Sequence, residues 1–248
     1  MRKPVTGGGD FLYKQFYMPK KKLQRFAELR TFTNVLQPDY IDVCQKDHTV
    51  KGKWKSSYFR NEHPVVLELG CGKGEYTVGL ARRFSGMNFI GIDIKGARIW
   101  KGARTAFMEG LKNVAFIRTR IELISSFFAD SEADEIWLTF PDPQLKKERK
   151  RLTSPGFLRI YQKFLKNNGR VHLKTDNAVL YQYTLEVAAF NNCHIIYKTD
   201  DLYNSGIQDE ILHIKTFYEQ QFLDKGMKIH YLCFTLPHEK TIKEPITW

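Results

Sequence analysis

No apolar run in this chain approaches the ~20 residues that a bilayer span requires, and the opening MRKPVTGGGD has no apolar stretch of the kind a secretory signal carries. The expectation is a soluble, cytoplasmic protein with no membrane partner. Cysteine is scarce: Cys44, Cys71, Cys193 and Cys233 are scattered, with no C-x-x-C pair, and the seven histidines show no metal-ligand spacing. That excludes a disulfide framework and gives no reason to expect a metal. Acidic residues are the scarcer charge, 27 Asp and Glu against 39 Lys and Arg, a formal +12. A field of that sign concentrates polyanions, so nucleic acid is the expected partner, although excess lysine can also serve solubility alone. The oligomeric state is left open. Apolar residues make up 42% of the 248 positions, with 18 Phe and 12 Tyr, which is enough for the core of one large domain.

The charge is unevenly placed. Residues 1–60 hold 13 Lys and Arg against 5 Asp and Glu, and include Gly7-Gly8-Gly9, Lys20-Lys21-Lys22 and Lys51-Gly52-Lys53-Trp54-Lys55 with aromatics between them. Little apolar periodicity is sustained there beyond a short helix near 20–30, so 1–60 reads as a basic, partly ordered arm and 61–248 as the main domain.

From Pro64 onward short apolar runs alternate with helix-length patterns. Strands are predicted at 65–69, 88–92, 114–118, 136–140 and 170–174, with helices at 74–84, 96–109, 154–166 and 178–190. This alternation marks βαβ units, hence a doubly wound, mostly parallel α/β sheet with helices on both faces. His194–Lys198 and Lys228–Thr235 bracket a turn-rich loop and are expected to form an antiparallel edge pair.

The most informative local signal is Glu68-Leu69-Gly70-Cys71-Gly72-Lys73-Gly74, where a strand meets a helix. Glycines there let the backbone turn tightly and approach a ligand closely. The spacing differs from the Gly-x-Gly-x-x-Gly of dinucleotide enzymes, and Glu68 would repel a pyrophosphate. An acid before the glycines suits a ligand with a cationic end. S-adenosylmethionine carries an ammonium and a sulfonium but no phosphate, and Asp93, 25 residues after Glu68, stands where a ribose diol needs an acceptor.

A second signal is Thr139-Phe140-Pro141-Asp142-Pro143 at the end of another strand. Prolines on both sides hold Asp142 in a rigid loop at the same sheet edge as the glycine turn, though a turn aspartate can also serve only its local N–H groups. Five of the six residues from Lys146 to Arg151 are basic, well placed to grip a phosphate backbone or else to lie solvated. Lys174-Thr175-Asp176-Asn177 ends a further strand on that edge. Thr216-Phe217-Tyr218-Glu219 opens an amphipathic helix, and its Thr-x-x-Glu spacing also satisfies a capping box. His172 reads as a packed strand residue.

Taken in order, Glu-Leu-Gly-Cys-Gly-Lys-Gly, Gly91-Ile92-Asp93, Phe140 to Pro143 with its basic cluster, His172 to Asn177 and Thr216 to Glu219 resemble the bacterial tRNA (guanine-N7)-methyltransferases over about residues 30–235. The resemblance implies a Rossmann-like fold with a seven-stranded sheet, S-adenosylmethionine as cofactor, tRNA as partner and methyl transfer to N7 of the variable-loop guanine. Carried over by position, Glu68, Gly70, Gly72, Asp93, Arg120 and Asp142 would bind the cofactor, Asp142 also acting as the catalytic residue. Lys146, Asp176, Thr216, Phe217, Tyr218 and Glu219 would bind the substrate. The chain departs from the family where Gln144-Leu145 replace a common Trp-Pro and the basic loop is about two residues shorter. It departs again at Arg120, which stands where a carboxylate or amide is usual, with Glu122 two residues on. Other readings are a related methyltransferase acting on another nucleic acid or a small molecule, and a noncatalytic RNA-binding relative.

If the excess charge serves RNA, binding to tRNA falls by on the order of 10³-fold between 50 and 200 mM salt. A filter-binding titration that is insensitive to salt would show the charge to be incidental.

Overall fold

The computed structural model describes residues 20–245, so residues 1–19 of the basic arm lie outside the described residues. Eight strands form one sheet: β1 (Val35–Leu36), β2 (Val65–Leu69), β3 (Asn88–Asp93), β4 (Val114–Arg118), β5 (Ala133–Thr139), β6 (Leu165–Thr175), β7 (Ile195–Thr199) and β8 (His230–Thr235). Their order is β1-β4-β3-β2-β5-β6-β8-β7. All pairs from β1 through β6 are parallel, while β6/β8 and β8/β7 are antiparallel.

Side-chain alternation along the central strands splits the core in two. Val65, Leu67 and Leu69 of β2 face a layer built from α2 (Tyr40–Cys44), α5 (Pro155–Tyr161) and α6 (Ala178–Phe190), while Val66 faces α1 (Lys20–Leu29), α3 (Glu75–Arg83) and α4 (Gly96–Met108). Every residue of β2 is buried, which is why the strand reads as apolar on both faces with Glu68 as the one exception. The last helix, α7 (Phe217–Leu223), lies on the α3 side. Among the described residues no helix is long and apolar enough to cross a membrane.

Three features differ from the sequence expectation. The sheet has eight strands, not seven, because Val35–Leu36 adds to the edge beside β4. It is anchored by Phe116 N donating to Asn34 O at 2.8 Å and Asn34 Nδ2 to Ala103 O at 3.0 Å; a two-residue strand leaves no periodicity to read. The helix expected over 154–166 stops at Tyr161, because Phe164 O accepts from Ala133 N at 3.0 Å and the chain joins β5 from Leu165 onward. Finally, residues 20–60 pack on the sheet. Trp54 is fully buried, stacks on Phe128 at 5.4 Å and donates Nε1–H to Phe127 O at 2.9 Å. The Glu132 carboxylate accepts from Gly52 N, Trp54 N and Ala129 N. Aromatic anchoring at irregular spacing has no helical or strand period, so the segment reads from sequence as a partly ordered arm whose one periodic stretch, near 20–30, is α1.

The strand order reverses between β2 and β5, the place where an open parallel sheet leaves a crevice outside its carboxyl ends. Close packing around Phe116 of β4 seats the end of the glycine turn against α4. A Cβ on Gly74 would meet the Phe116 ring at 2.6 Å, and one on Gly102 of α4 would meet Lys73 O at 2.7 Å and the same ring at 2.9 Å. Gly102 therefore lets α4 touch the glycine turn. Gly to Ala in a helix ordinarily stabilises by up to about 1 kcal/mol; Gly102→Ala is expected instead to destabilise by about 1–3 kcal/mol through overpacking, read as a lowered urea midpoint.

Candidate active site

The glycine turn joins β2 to α3 through three left-handed residues, Gly70 (φ +80°), Gly72 (φ +56°) and Gly74 (φ +68°). It is stitched to the end of β3: Gly70 N and Cys71 N donate to Ile92 O at 2.8 and 3.0 Å, and Gly72 N to Asp93 Oδ2 at 2.9 Å. Asp93 Oδ1 accepts from Lys95 N at 2.7 Å. One carboxylate thus aligns the turn and the start of α4, and Asp93 remains half-buried at the rim of the crevice.

That crevice is a cavity of about 470 Å³ lined by Gly70, Asp93, Ile94, Arg120, Glu122 and Leu152 among others, a size ordinary for a small-molecule site. Three of the residues expected to bind a cofactor, Gly70, Asp93 and Arg120, meet there. Ile94 is 51% exposed beside Asp93, an apolar surface next to a diol acceptor. No Cβ fills the space over Gly72, where one would find only Gly70 O at 3.9 Å. A carboxylate for a ribose, an apolar shelf for a purine and bare backbone at the turn fit S-adenosylmethionine.

Glu68 lies elsewhere. It points to the α3 side of the sheet at 4% exposure, with Oε2 accepting from Thr77 N (2.9 Å) and the Thr77 hydroxyl, and Oε1 from Thr139 Oγ1 (2.5 Å). It ties β2, α3 and β5 together beneath the turn. Burial pushes its carboxyl up to about 7, against the three hydrogen bonds.

Asp142 sits on the exposed loop after β5, with Oδ1 accepting from Gln144 N at 3.0 Å. Phe140 (φ +50°) and Gln144 (φ +46°) take up left-handed backbone on either side of Pro141-Asp142-Pro143. Strain of that kind, of order 1–3 kcal/mol per residue, persists only where the surroundings impose it. Here Lys174 O accepts from Phe140 N at 2.8 Å, and Arg151 Nε donates to Pro143 O at 3.0 Å. Asp142 and Lys146 border a depression of about 410 Å³, and Gln144 lines both this depression and the larger cavity. Arg151, read from sequence as part of a phosphate-gripping cluster, is 1% exposed and lies 4.3 Å from the Tyr183 ring, so it supports the loop from behind.

At Thr216–Glu219 the capping box is present in full. Glu219 is wholly buried, 2.7 Å from Lys174 Nζ and 2.7 Å from Tyr203 OH, and Lys174 Nζ also donates to Leu212 O at 3.0 Å. Phe217 and Tyr218 are the exposed members of the motif. Phe217 N donates to Glu75 Oε2 at 3.0 Å, and Lys73 Nζ stands 4.6 Å over the Phe217 ring, which docks the segment against the glycine turn. Asp176 is half-buried between β6 and α6, whose first turn Asn177 caps through Leu180 N at 2.9 Å. Thr77, Thr139 and Lys174 were missed from sequence. Polar residues at 172 and 174, alternating with Val171 and Leu173, were the available signal for a buried polar layer on one face of β6.

A family model described as "Putative methyltransferase" matches residues 62–232. A tRNA (guanine-N(7)-)-methyltransferase of Bacteroides fragilis is 51% identical over 228 residues, covering 92% of this chain and 90% of that protein. The enzyme of the same name from Porphyromonas gingivalis is 52% identical over 211 residues, covering 84% and 86%. The chain belongs to the bacterial tRNA (guanine-N7)-methyltransferase family. Among solved structures, the 16S rRNA methyltransferase KamB superposes with a TM-score of 0.58 at 14% identity, over 75% of this chain and 94% of that one. Likeness at that identity speaks for a shared Rossmann-like methyltransferase fold.

The Glu68 carboxyl titrates higher in the folded protein than its ordinary 4.5. Between those two values the folded state holds the extra proton, so Glu68 costs stability as pH rises from 4.5 toward 7. Urea titrations at pH 4.5 and pH 7.5 are expected to show wild type losing on the order of 3 kcal/mol relative to Glu68→Gln across that interval. Parallel pH profiles would place the titration elsewhere.

Proposed function

We propose that this protein transfers the methyl group of S-adenosylmethionine to N7 of the variable-loop guanine of tRNA, in the cytoplasm. The observation that carries the reading is the juxtaposition, at the sheet's switch point, of the Asp93-lined cavity with the rigid loop that presents Asp142. The relatives named above support the choice of base and RNA.

When bound, the cofactor supplies an electrophilic methyl on a sulfonium. Asp93 would receive the ribose hydroxyls, the Gly70–Gly72 backbone would permit close approach, and Ile94 would offer a face to the adenine. Arg120, at the start of the turn after β4, contributes its backbone and aliphatic stem to the same wall. Glu68 acts from beneath, fixing the turn through Thr77 and Thr139.

Guanine N7 has a free lone pair and no proton to lose, so its attack needs no general base. Alignment is then the main task, and holding two reactants in line is worth up to roughly 7–11 kcal/mol of barrier. As N7 is alkylated the purine gains positive charge. Asp142 accepts hydrogen bonds from the N–H edge of the guanine and offsets that charge as it develops. Lys146, Asp176 and the exposed rings of Phe217 and Tyr218 are the residues assigned to hold the unstacked base and its phosphates. Thr216 and Glu219 hold those rings in place from below.

Labelled S-adenosylmethionine incubated with bulk tRNA should deliver its label to 7-methylguanosine after digestion; label in any other nucleoside, or none, overturns the reading. Asp142→Asn is expected to lower kcat on the order of 10²-fold while S-adenosylmethionine affinity, measured calorimetrically, stays within about threefold. Unchanged turnover would remove Asp142 from the mechanism.

A further inference from the structure

A second cavity, about 600 Å³, runs along the outer side of α3, walled by α4 on one side and by residues 213–217 on the other. It is separate from the Asp93-lined cavity and meets the reaction site only at its upper end, where Lys73 of the glycine turn and Phe217 stand. From that end α3 carries it about 13 Å toward the opposite edge of the sheet, where Arg82 and Arg83 close the helix. Loop 213–217 can lie this close because position 79 is glycine: a Cβ there would meet Ile214 Cγ2 at 3.0 Å.

The lining is strongly cationic. Lys73, Arg82, Arg83, Lys101 and Lys215 all face it, with His213 beside them, and Glu75 is its one acid. The Glu75 carboxylate is already committed, to Lys101 Nζ at 2.8 Å and to Phe217 N at 3.0 Å. Arg82 is held by Glu109. Lys215 lies over the Tyr203 ring at 4.8 Å and makes no ion pair among the described residues, and Arg83 is exposed at the far end. Like charges gathered along one groove raise the energy of the free protein and are relieved by a polyanion threaded between them. The groove's aromatic mouth, Phe217 with Tyr218, also provides a surface on which a base can stack.

We propose that this groove holds the sugar-phosphate backbone of the RNA substrate on a stretch beyond the target nucleotide, so that RNA leaves the reaction site past Phe217 and follows α3. The proposal rests on the reading that the substrate is tRNA and deepens it by assigning a second footprint. Phosphates would pair with Lys73 and Lys215 near the mouth and with Arg83 at the exit. Such contacts position the RNA without reading its sequence.

The test is direct binding of unmodified bulk tRNA to the full-length protein, by filter binding across a salt series, which does not depend on methyl transfer. Arg83→Gln combined with Lys215→Gln is expected to raise the Kd roughly tenfold at 100 mM salt and to lower the salt slope by about 2. The affinity for S-adenosylmethionine should be unaltered. Lys163→Gln combined with Lys198→Gln removes the same charge from the far side of the molecule and should shift Kd much less. In the opposite sense, Thr105→Lys adds a cation to the groove wall and should tighten binding. Equal losses in the two double variants, or no loss in the groove variant, overturn the proposal. If wild type binds tRNA with this pattern but yields no 7-methylguanosine, the groove stands and the assigned reaction falls.

Discussion

A single buried carboxylate holds the reaction edge of this protein together. Glu68 is the next-to-last residue of the central strand β2, and its three hydrogen bonds reach Thr77 on α3 and Thr139 on β5. Those are the elements that diverge at the switch point, one carrying the glycine turn and the other the loop of Asp142. A carboxylate withdrawn from water is costly unless its oxygens are satisfied, so its partners cannot drift independently. The cavity between the two loops keeps its shape because the group beneath it has nowhere else to bond.

The same face of the sheet repeats this device one strand over. Lys174 of β6 neighbours Thr139 in register and pairs with Glu219, both fully buried, while its backbone carbonyl holds Phe140. Burial draws the Lys174 ammonium below its usual range even as Glu219 pulls the other way. Two buried charges therefore connect the Asp142 loop, the end of β6 and the Phe217 segment. A buried pair of this kind is weak evidence for net stability. Its value here is geometric, since it fixes where the exposed residues Asp142, Phe217 and Tyr218 stand.

This division explains what could be read from the sequence. The βαβ alternation, the glycine turn, Asp93 at the end of β3 and the antiparallel return of β7 and β8 each follow from local patterns; β2, β3, β4, β7 and β8 fall within a residue or two of expectation, while β5 begins three residues early, β6 five residues early and α5 ends five residues short. Asp93 and Arg120 do line one cavity with Gly70. What local pattern could not reveal is which acid faces the ligand and which faces the core. Glu68 and Asp93 both end strands before a turn, yet the pleat sends Glu68 under α3 and leaves Asp93 at the rim. Thr216 to Glu219 fitted two descriptions, a helix cap and a substrate contact. The structure realises the cap in Thr216 and Glu219 and leaves the rings of Phe217 and Tyr218 exposed between them. Strand β1 and the packing of Trp54 had no period to betray them, because each depends on tertiary partners far along the chain.

The distribution of charge carries the argument one step further. Counting Lys146 to Arg151 as one phosphate grip treats neighbours in sequence as neighbours in purpose, but Arg151 is spent inside the fold holding Pro143 and stacking on Tyr183. The cations that line one groove, Lys73, Arg83 and Lys215, come from three separate segments and form no run in the sequence. Since electrostatic attraction depends on distance in space and is screened over about 10 Å at ordinary salt, the exposed cations of Lys146 to Lys150 act as one local patch beside Asp142, whereas those spread along α3 mark out a path. A basic composition announces a polyanion. The folded path of the charges is what gives that polyanion a direction, and here it leads from the glycine turn along α3.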